Sequence, residues 1–315
     1  MVSIDTRLLT DFENGLNPAA PENSRIPPEI LGYGEISSTF MIPRMPGVAL
    51  KRMPPFGNKE EIKAYKIIVE KYCQELSIQC NIRVPDYRFF ELLNQHDENV
   101  LYIAQDQLPA TGIGNHLLKV VSPHELAMML QTIAGKLVNA WRLNADPAGD
   151  FTVGLDAQIS NWHFYVPVGG CSEPFFFDVT TPLMRVDGKE QLDPEIFLKS
   201  CPKFLVWLVR WQFLDEVLDR YYDLRQVLID LVANFYKEGA VDRIPEALAV
   251  LNQFFSENAQ DLKIEPISAD EVQAYYKNDA FIWALFLALR RLDRFITTKL
   301  RRKRYNFILP GKIQR

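Results

Sequence analysis

One β-rich island, Thr152 to Val179, lies inside a stretch that is otherwise helical in pattern from Ser122 to Leu300. A short hairpin among helices cannot bury its own faces, so it must be held against a larger helical body. Upstream the pattern reverses. Two strand-like runs, Leu31–Phe40 and Val48–Lys51, flank a Pro/Gly turn at Pro43, Pro46 and Gly47. A helix is predicted from about Asn58 to Leu76, with Asn58 as N-cap, Glu60 and Glu61 at its positive end, and apolar positions at Tyr65, Ile68, Tyr72 and Leu76. Two more strand runs, Tyr87–Leu93 and Val100–Gln105, flank the polar turn Asn94–Asn99. Helical periodicity then runs from Ser122-Pro123-x-Glu125 to Asn144, and again over 194–235, 244–256 and 269–299. The order predicts an α+β chain. A small β-rich lobe with one helix (31–106) precedes a larger helical lobe (107–315) that carries the hairpin (152–179). Residues 1–30, broken by Pro18, Pro21, Pro27 and Pro28, read as an N-terminal arm.

The 315 residues suffice for a large core, and 48% hydrophobic with 24% charged residues is an ordinary globular composition. A formal charge of −5 excludes a global attraction to nucleic acid. The basic residues are unevenly spread: Arg290–Arg315 holds ten Lys/Arg against one acid, Asp293. That segment could be a solvated helix end or a docking surface for an acidic partner, nucleic acid or anionic lipid headgroups. Cys73, Cys80, Cys171 and Cys201 form no Cys-x-x-Cys pair and suggest a reducing compartment. The chain has no pattern of a secretory signal, and its longest apolar run, Phe281–Leu289, is too short to span a bilayer, so a cytoplasmic location is expected.

Three spaced motifs suggest chemistry. Gly32-Tyr33-Gly34, followed by Ser37, Ser38 and Thr39, puts glycines on a strand where backbone could approach a phosphate, although an ordinary hairpin turn uses the same residues. Val48-Ala49-Leu50-Lys51 ends an apolar strand on a lysine, ahead of a helix offering Glu60, Glu61 and Glu70 as partners; the apolar face favours Glu61. In Gly154–Asn161, Asp156 precedes Asn161 by five residues. After a strand, a Gly169-Gly170 turn and a second strand, Asp178 ends the aromatic run Phe175–Phe177. A carboxylate emerging from an aromatic strand suits a hard cation that needs oxygen ligands.

Taken together, and in this order, these residues resemble the protein-kinase-like superfamily, nearer to the bacterial aminoglycoside and choline phosphotransferase-like enzymes than to eukaryotic protein kinases. The resemblance covers about residues 30–235. It implies a two-lobed fold, ATP and Mg2+ as cofactors, and transfer of phosphate to an alcohol group. It would place Gly32, Gly34, Ser37 and Ser38 over the nucleotide phosphates and Lys51 against the α- and β-phosphates, paired with Glu61. Gln105, Asp106 and Gln107 would form the hinge against the adenine. Asp156 would be the catalytic base, and Asn161 and Asp178 the magnesium ligands. Gly154-Leu155 replaces the usual His-Arg, Val179-Thr180 replaces Phe-Gly, and no Ala-Pro-Glu-like segment follows, which argues against a phosphorylation-regulated protein kinase. A pseudokinase that binds nucleotide or a partner is one alternative, and transfer of AMP is another, because fold does not fix reaction. The acceptor is not legible. His163, two residues after Asn161, reads as a surface or packing residue with the same cleft as the alternative, and the aromatics Trp207, Trp211, Phe213, Tyr221 and Tyr222 read as core with an acceptor-binding wall as the alternative.

Overall fold

A computed structural model describes residues 4–34, 36–146, 149–165, 173–193, 195–198 and 215–310. The Gly169-Gly170 turn, Cys171, Cys201, Trp207, Trp211 and Phe213 lie outside the described residues. Strands β1 (Glu29–Tyr33), β2 (Ser38–Met41), β3 (Val48–Arg52), β4 (Tyr87–Leu93) and β5 (Asn99–Asp106) form one antiparallel sheet in the order β1-β2-β3-β5-β4. The run expected over Leu31–Phe40 is a hairpin rather than one strand. Gly34 N–H donates to the Ser37 carbonyl at 2.9 Å and turns the chain between β1 and β2.

The alternation of β3 and β5 divides the sheet faces. Leu50, Tyr102 and Ala104 pack on one face with Phe40, and Leu101 and Ile103 pack on the other with α2 (Lys59–Ile78). Asn58 caps α2 by accepting from Glu61 N–H at 2.8 Å. The buried stripe of α2 is Ile62, Tyr65, Val69, Tyr72, Cys73 and Leu76. The expected stripe through Ile68 is therefore rotated, which puts Glu61 outside it.

The first face is covered by a segment expected as an arm. Residues 6–15 form helix α1 (Thr6–Gly15), capped by Asp5 and ending before Pro18, the first of the prolines that would interrupt it. Leu9, Phe12 and Leu16 enter the core beside Phe40 and Leu50. Glu13 and Arg52, both buried, pair through two hydrogen bonds of 2.8 and 2.9 Å.

The helical lobe is built on α4 (Pro123–Asn144), α7 (Leu224–Lys237), α8 (Ile244–Asn258) and α9 (Ala269–Phe295). Ser122–Glu125 and Ser268–Glu271 form capping boxes at the starts of α4 and α9. Short pieces α3 (Gly114–Leu117), α5 (Glu195–Leu198) and α6 (Asp215–Arg220) connect them. The β island is two units rather than one hairpin. β6 (Phe151–Val153) pairs with β9 (Met184–Val186), which pairs with β10 (Lys189–Glu190), while β7 (Trp162–His163) pairs with β8 (Phe175–Phe176). Trp162 and Phe176 join the core formed by α4, α7 and α8. A five-stranded antiparallel sheet with one inserted helix, followed by a helical lobe, is the α+β element order expected from the sequence. A single π turn, Ile296–Leu300, follows α9, and the chain then leaves the helical pattern and returns to the sheet.

Candidate functional site

The cleft begins with the residues that alternation leaves uncovered. Ala49 and Lys51 pair with Gln105 and Ile103 across β3 and β5, so they share the α2 side of the sheet. Lys51 is 4% exposed. Its ammonium donates to the Phe177 carbonyl and lies 3.8 Å from Asp178 Oδ1. Burial pushes the Lys51 pKa down from its ordinary value, while Asp178 acts in the opposite direction. Asp178 Oδ1 also accepts from the Thr180 hydroxyl at 2.8 Å. Ser37 donates to that hydroxyl at 3.3 Å, which ties the glycine turn to the segment after Asp178.

The opposite wall is loop 154–161. Leu155, Ala157 and Ile159 are buried in the helical-lobe core, so Asp156, Gln158 and Ser160 face the cleft. The loop is held at both ends. Tyr72 from α2 donates to the Gly154 carbonyl at 2.9 Å, and Leu155 N–H donates to Tyr221 at 3.0 Å. Asn161 Nδ2 donates to the Asp156 carbonyl at 3.0 Å, and Phe177 N–H donates to the Asn161 carbonyl at 3.1 Å. These bonds hold the Asp156, Asn161 and Asp178 segments in a fixed mutual arrangement.

A cavity of about 530 Å3 lies between the two walls. Gly32, Gly34, Ser37, Lys51, Gln105, Asp106, Gln107, Asp156, Asn161 and Asp178 all line it. Gln107 N–H donates to the Gly47 carbonyl at 2.8 Å where β5 leaves the sheet. Two expected residues are elsewhere. Ser38 donates to the Ile308 carbonyl at 3.4 Å, on the side of the C-terminal segment. Glu61 is exposed, and its carboxylate accepts from Gly57 N–H at 3.0 Å at the start of its own helix. Glu60 and Glu70 are exposed as well, so the carboxylate beside Lys51 is Asp178 and not one from α2. His163 is buried against the Tyr165 ring at 4.7 Å, away from the cleft.

The sequence reading missed the floor of the cleft. Gln158 donates to Asp230 at 3.2 Å and accepts from Asn234 and Lys237, each at 3.2 Å. Lys237 and Asp279 line the cavity from α7 and α9. Burial, reinforced by Asp279, pushes the Asp230 carboxyl up to about 7. No short motif marks these residues; the available signal was polar positions (Asp230, Asn234, Lys237) at helical spacing in the largely apolar run that follows Gln226.

The donor set fits a magnesium ion held jointly with a nucleotide. Among the described residues no cluster of three His, Cys, Asp or Glu could hold a metal, so a cage made by protein alone is absent there. The Asn161 amide is oriented by its bond to Asp156, leaving Oδ1 of Asn161 and Oδ2 of Asp178 without hydrogen-bond partners among the described residues. Two oxygens from protein, completed by phosphate and water, are the usual set for Mg2+.

A family profile described as a family of unknown function (DUF6206) matches residues 27–294. No curated protein matches the sequence. Among solved structures, WaaP in complex with acyl carrier protein is similar at 10% identity and TM-score 0.34, covering 83% of this chain and 98% of that one. A GDP complex of an aminoglycoside 2'-phosphotransferase is similar at 11% identity and TM-score 0.33, covering 77% of this chain and 92% of that one. No helix among the described residues is long and apolar enough to cross a membrane.

Proposed function

The chain belongs to the DUF6206 family, whose description assigns no function, and from its cleft we propose an ATP- and Mg2+-dependent phosphotransferase acting on a hydroxyl of an unidentified small molecule. One observation carries this reading: Lys51, Asp156, Asn161 and Asp178, from three separate stretches of chain, line a single cavity beneath the β1–β2 glycine turn.

In this reading the purine lies against Gln105–Gln107, and the phosphates run under Gly32 and Gly34 toward Lys51. Lys51 neutralises phosphate charge, and its low exposure strengthens that contact by excluding water. Asn161 and Asp178 would hold the magnesium ion, which would supply charge neutralisation for the phosphates. Asp156 orients the acceptor hydroxyl and takes its proton, a role worth about 10²–10⁴ in rate. The bond from Asn161 Nδ2 to the Asp156 carbonyl keeps the two side chains in register.

A thermal-shift titration tests the binding half. At about 100 times Kd, nucleotide adds about 2.7 kcal/mol of stability. ATP is expected to raise the Tm, Mg2+ to increase the rise, and Asp178→Ala to abolish the increment due to Mg2+. No stabilisation by any nucleotide would sink the proposal. ATP turnover across a panel of hydroxyl-bearing metabolites tests the chemical half, with Asp156→Asn as the inactive control.

One observation favours a second reading, a nucleotide-binding scaffold without turnover. Lys51 has no carboxylate from α2, and Asp178 Oδ1 is already engaged by both Lys51 and Thr180. Full stabilisation by Mg-ATP with no turnover in the panel would select it. Transfer of AMP would instead appear as labelled protein or acceptor from ATP labelled at the α-phosphate.

A further inference from the structure

Helix α9 has two dissimilar faces. Asp279 and Trp283 line the cleft, and Arg290 is buried with its guanidinium 4.1 Å from the Phe286 ring. On the other side Phe281, Leu292 and Phe295 are 63%, 41% and 55% exposed, and Leu300 in the following π turn is 69% exposed. Ala284 and Ala288 are also exposed. At 100° per residue, Phe281, Ala284, Ala288, Leu292 and Phe295 fall within an arc of about 80°, so they form a continuous stripe. Single exposed apolar residues need no explanation, but a stripe of large ones along one helix does.

The exposed charges within the segment from Lys277 to Lys303 are of one sign. Lys277, Lys299, Arg301, Arg302 and Lys303 are exposed beside it or at its ends. Between Lys277 and Lys303 there are two acids. Asp279 faces the cleft, and Asp293 is half-buried beside Arg301. No exposed carboxylate from this segment opposes the cations.

We propose that this face of α9 and its π-turn extension docks on an anionic lipid surface, with Phe281, Leu292, Phe295 and Leu300 entering the acyl boundary and the flanking lysines and arginines meeting the headgroups. The combination selects this occupant. A nucleic acid or acidic protein segment would satisfy the cations but leave the apolar stripe in water, whereas a bilayer interface offers an apolar layer beneath an anionic one. Docking there brings a bilayer to the far side of the helix whose inner face lines the cleft.

The test is sedimentation of the full chain with extruded vesicles of phosphatidylglycerol and phosphatidylcholine, beside vesicles of phosphatidylcholine alone. Binding to the anionic vesicles is expected to exceed binding to the neutral ones at least tenfold, and to weaken in 1 M NaCl. Leu292→Glu with Phe295→Glu is expected to reduce binding at least tenfold. These side chains are exposed, so the thermal melt should be unchanged, and a parent-like melt certifies the fold. Lys299→Glu with Arg302→Glu should reduce binding through charge alone. Equal partition to both vesicles, absence from the anionic ones, or retention of binding by the Leu292/Phe295 variant would overturn the proposal. So would RNA binding of matching affinity that ignores the apolar substitutions. None of these readouts depends on ATP turnover.

Discussion

Lys51 gives up almost all the hydration of its ammonium, and the Phe177 carbonyl and the Asp178 carboxylate replace only part of it. A cation held this way is poised for a phosphate, so Lys51→Met is expected to lower ATP affinity at least tenfold while keeping the fold, measured by calorimetric titration and thermal melt. Asp230 poses the reverse problem, a carboxyl buried near Asp279 with Gln158, Lys237 and Arg220 as the opposing influences. Its pKa is about 7 when folded and near 3.8 when unfolded. The unfolded chain therefore loses this proton first, and stability falls as pH rises across that window. Asp230→Asn removes the penalty. Its Tm advantage over the parent should grow from pH 4 to pH 7 and stay level above; a constant difference across that range would refute the assignment. Asp156, Asn161 and Asp178 could be picked out at this scale because their spacing is local; Gln158 could not, because it is the burial of Leu155, Ala157 and Ile159 that turns Asp156 and Gln158 away from the core. Glu61 was misplaced because the face of α2 was read through Ile68 instead of Val69, and one residue turns a helix by about 100°.

Helix α1 was not legible as an element, although Leu9, Phe12 and Leu16 carry helical spacing, because the Pro- and Asn-rich stretch after it set the reading of the whole segment. What commits it to the sheet is a contact 39 residues distant, Glu13 with Arg52. Burial works against the Glu13 charge, but Arg52 and hydrogen bonds from Tyr102 and Asn94 outweigh it, so its pKa is lowered. The stability it contributes is present above the ordinary carboxylate range and lost as pH falls through the folded value. Glu13→Ala leaves a buried guanidinium unpaired and should cost about 3–5 kcal/mol, read as denaturant midpoint at pH 7. The β island was legible as strand but not in its pairing: β6 leaves for β9 and β10, a choice made by tertiary packing rather than by local pattern. Its loop rests on α3 through Gly114, where an added Cβ would strike the Ile159 carbonyl. Gly114→Ala is thus expected to shift loop 154–161 and reduce Mg-ATP stabilisation. An unchanged nucleotide shift in a folded Gly114→Ala chain would show the loop to be decoupled from the cleft.

At the scale of the molecule, order along the chain was the readable quantity: sheet with one helix, then helices around a short β-rich island. The ends were not readable, because the C-terminal segment spends part of its basic charge internally. Arg304 reaches Glu98 at 3.7 Å and the Leu16 carbonyl at 3.0 Å, and Arg52 donates to the Asn306 carbonyl at 2.9 Å. Tyr305 donates to the Arg290 carbonyl at 3.2 Å, so one short stretch grips α9 of the helical lobe and the sheet of the other. Ile308 is buried in the cluster with Leu9, Phe12 and Phe40, and its carbonyl accepts from Ser38 of β2, directly after the glycine turn. The segment therefore acts as a strap between α9 and the roof of the cleft. Ile308→Ala should cost about 2–5 kcal/mol in global stability, as for a buried aliphatic truncation. Tyr305→Phe removes one hydrogen bond from the helical-lobe anchor and should cost about 1 kcal/mol. A strap predicts a further effect on binding, since Mg-ATP in the proposed pose would touch both walls: Ile308→Ala should weaken nucleotide affinity more than Tyr305→Phe does, measured by titration well below either variant's Tm. Equal affinities in parent and Ile308→Ala would mean that the two lobes hold their orientation without it.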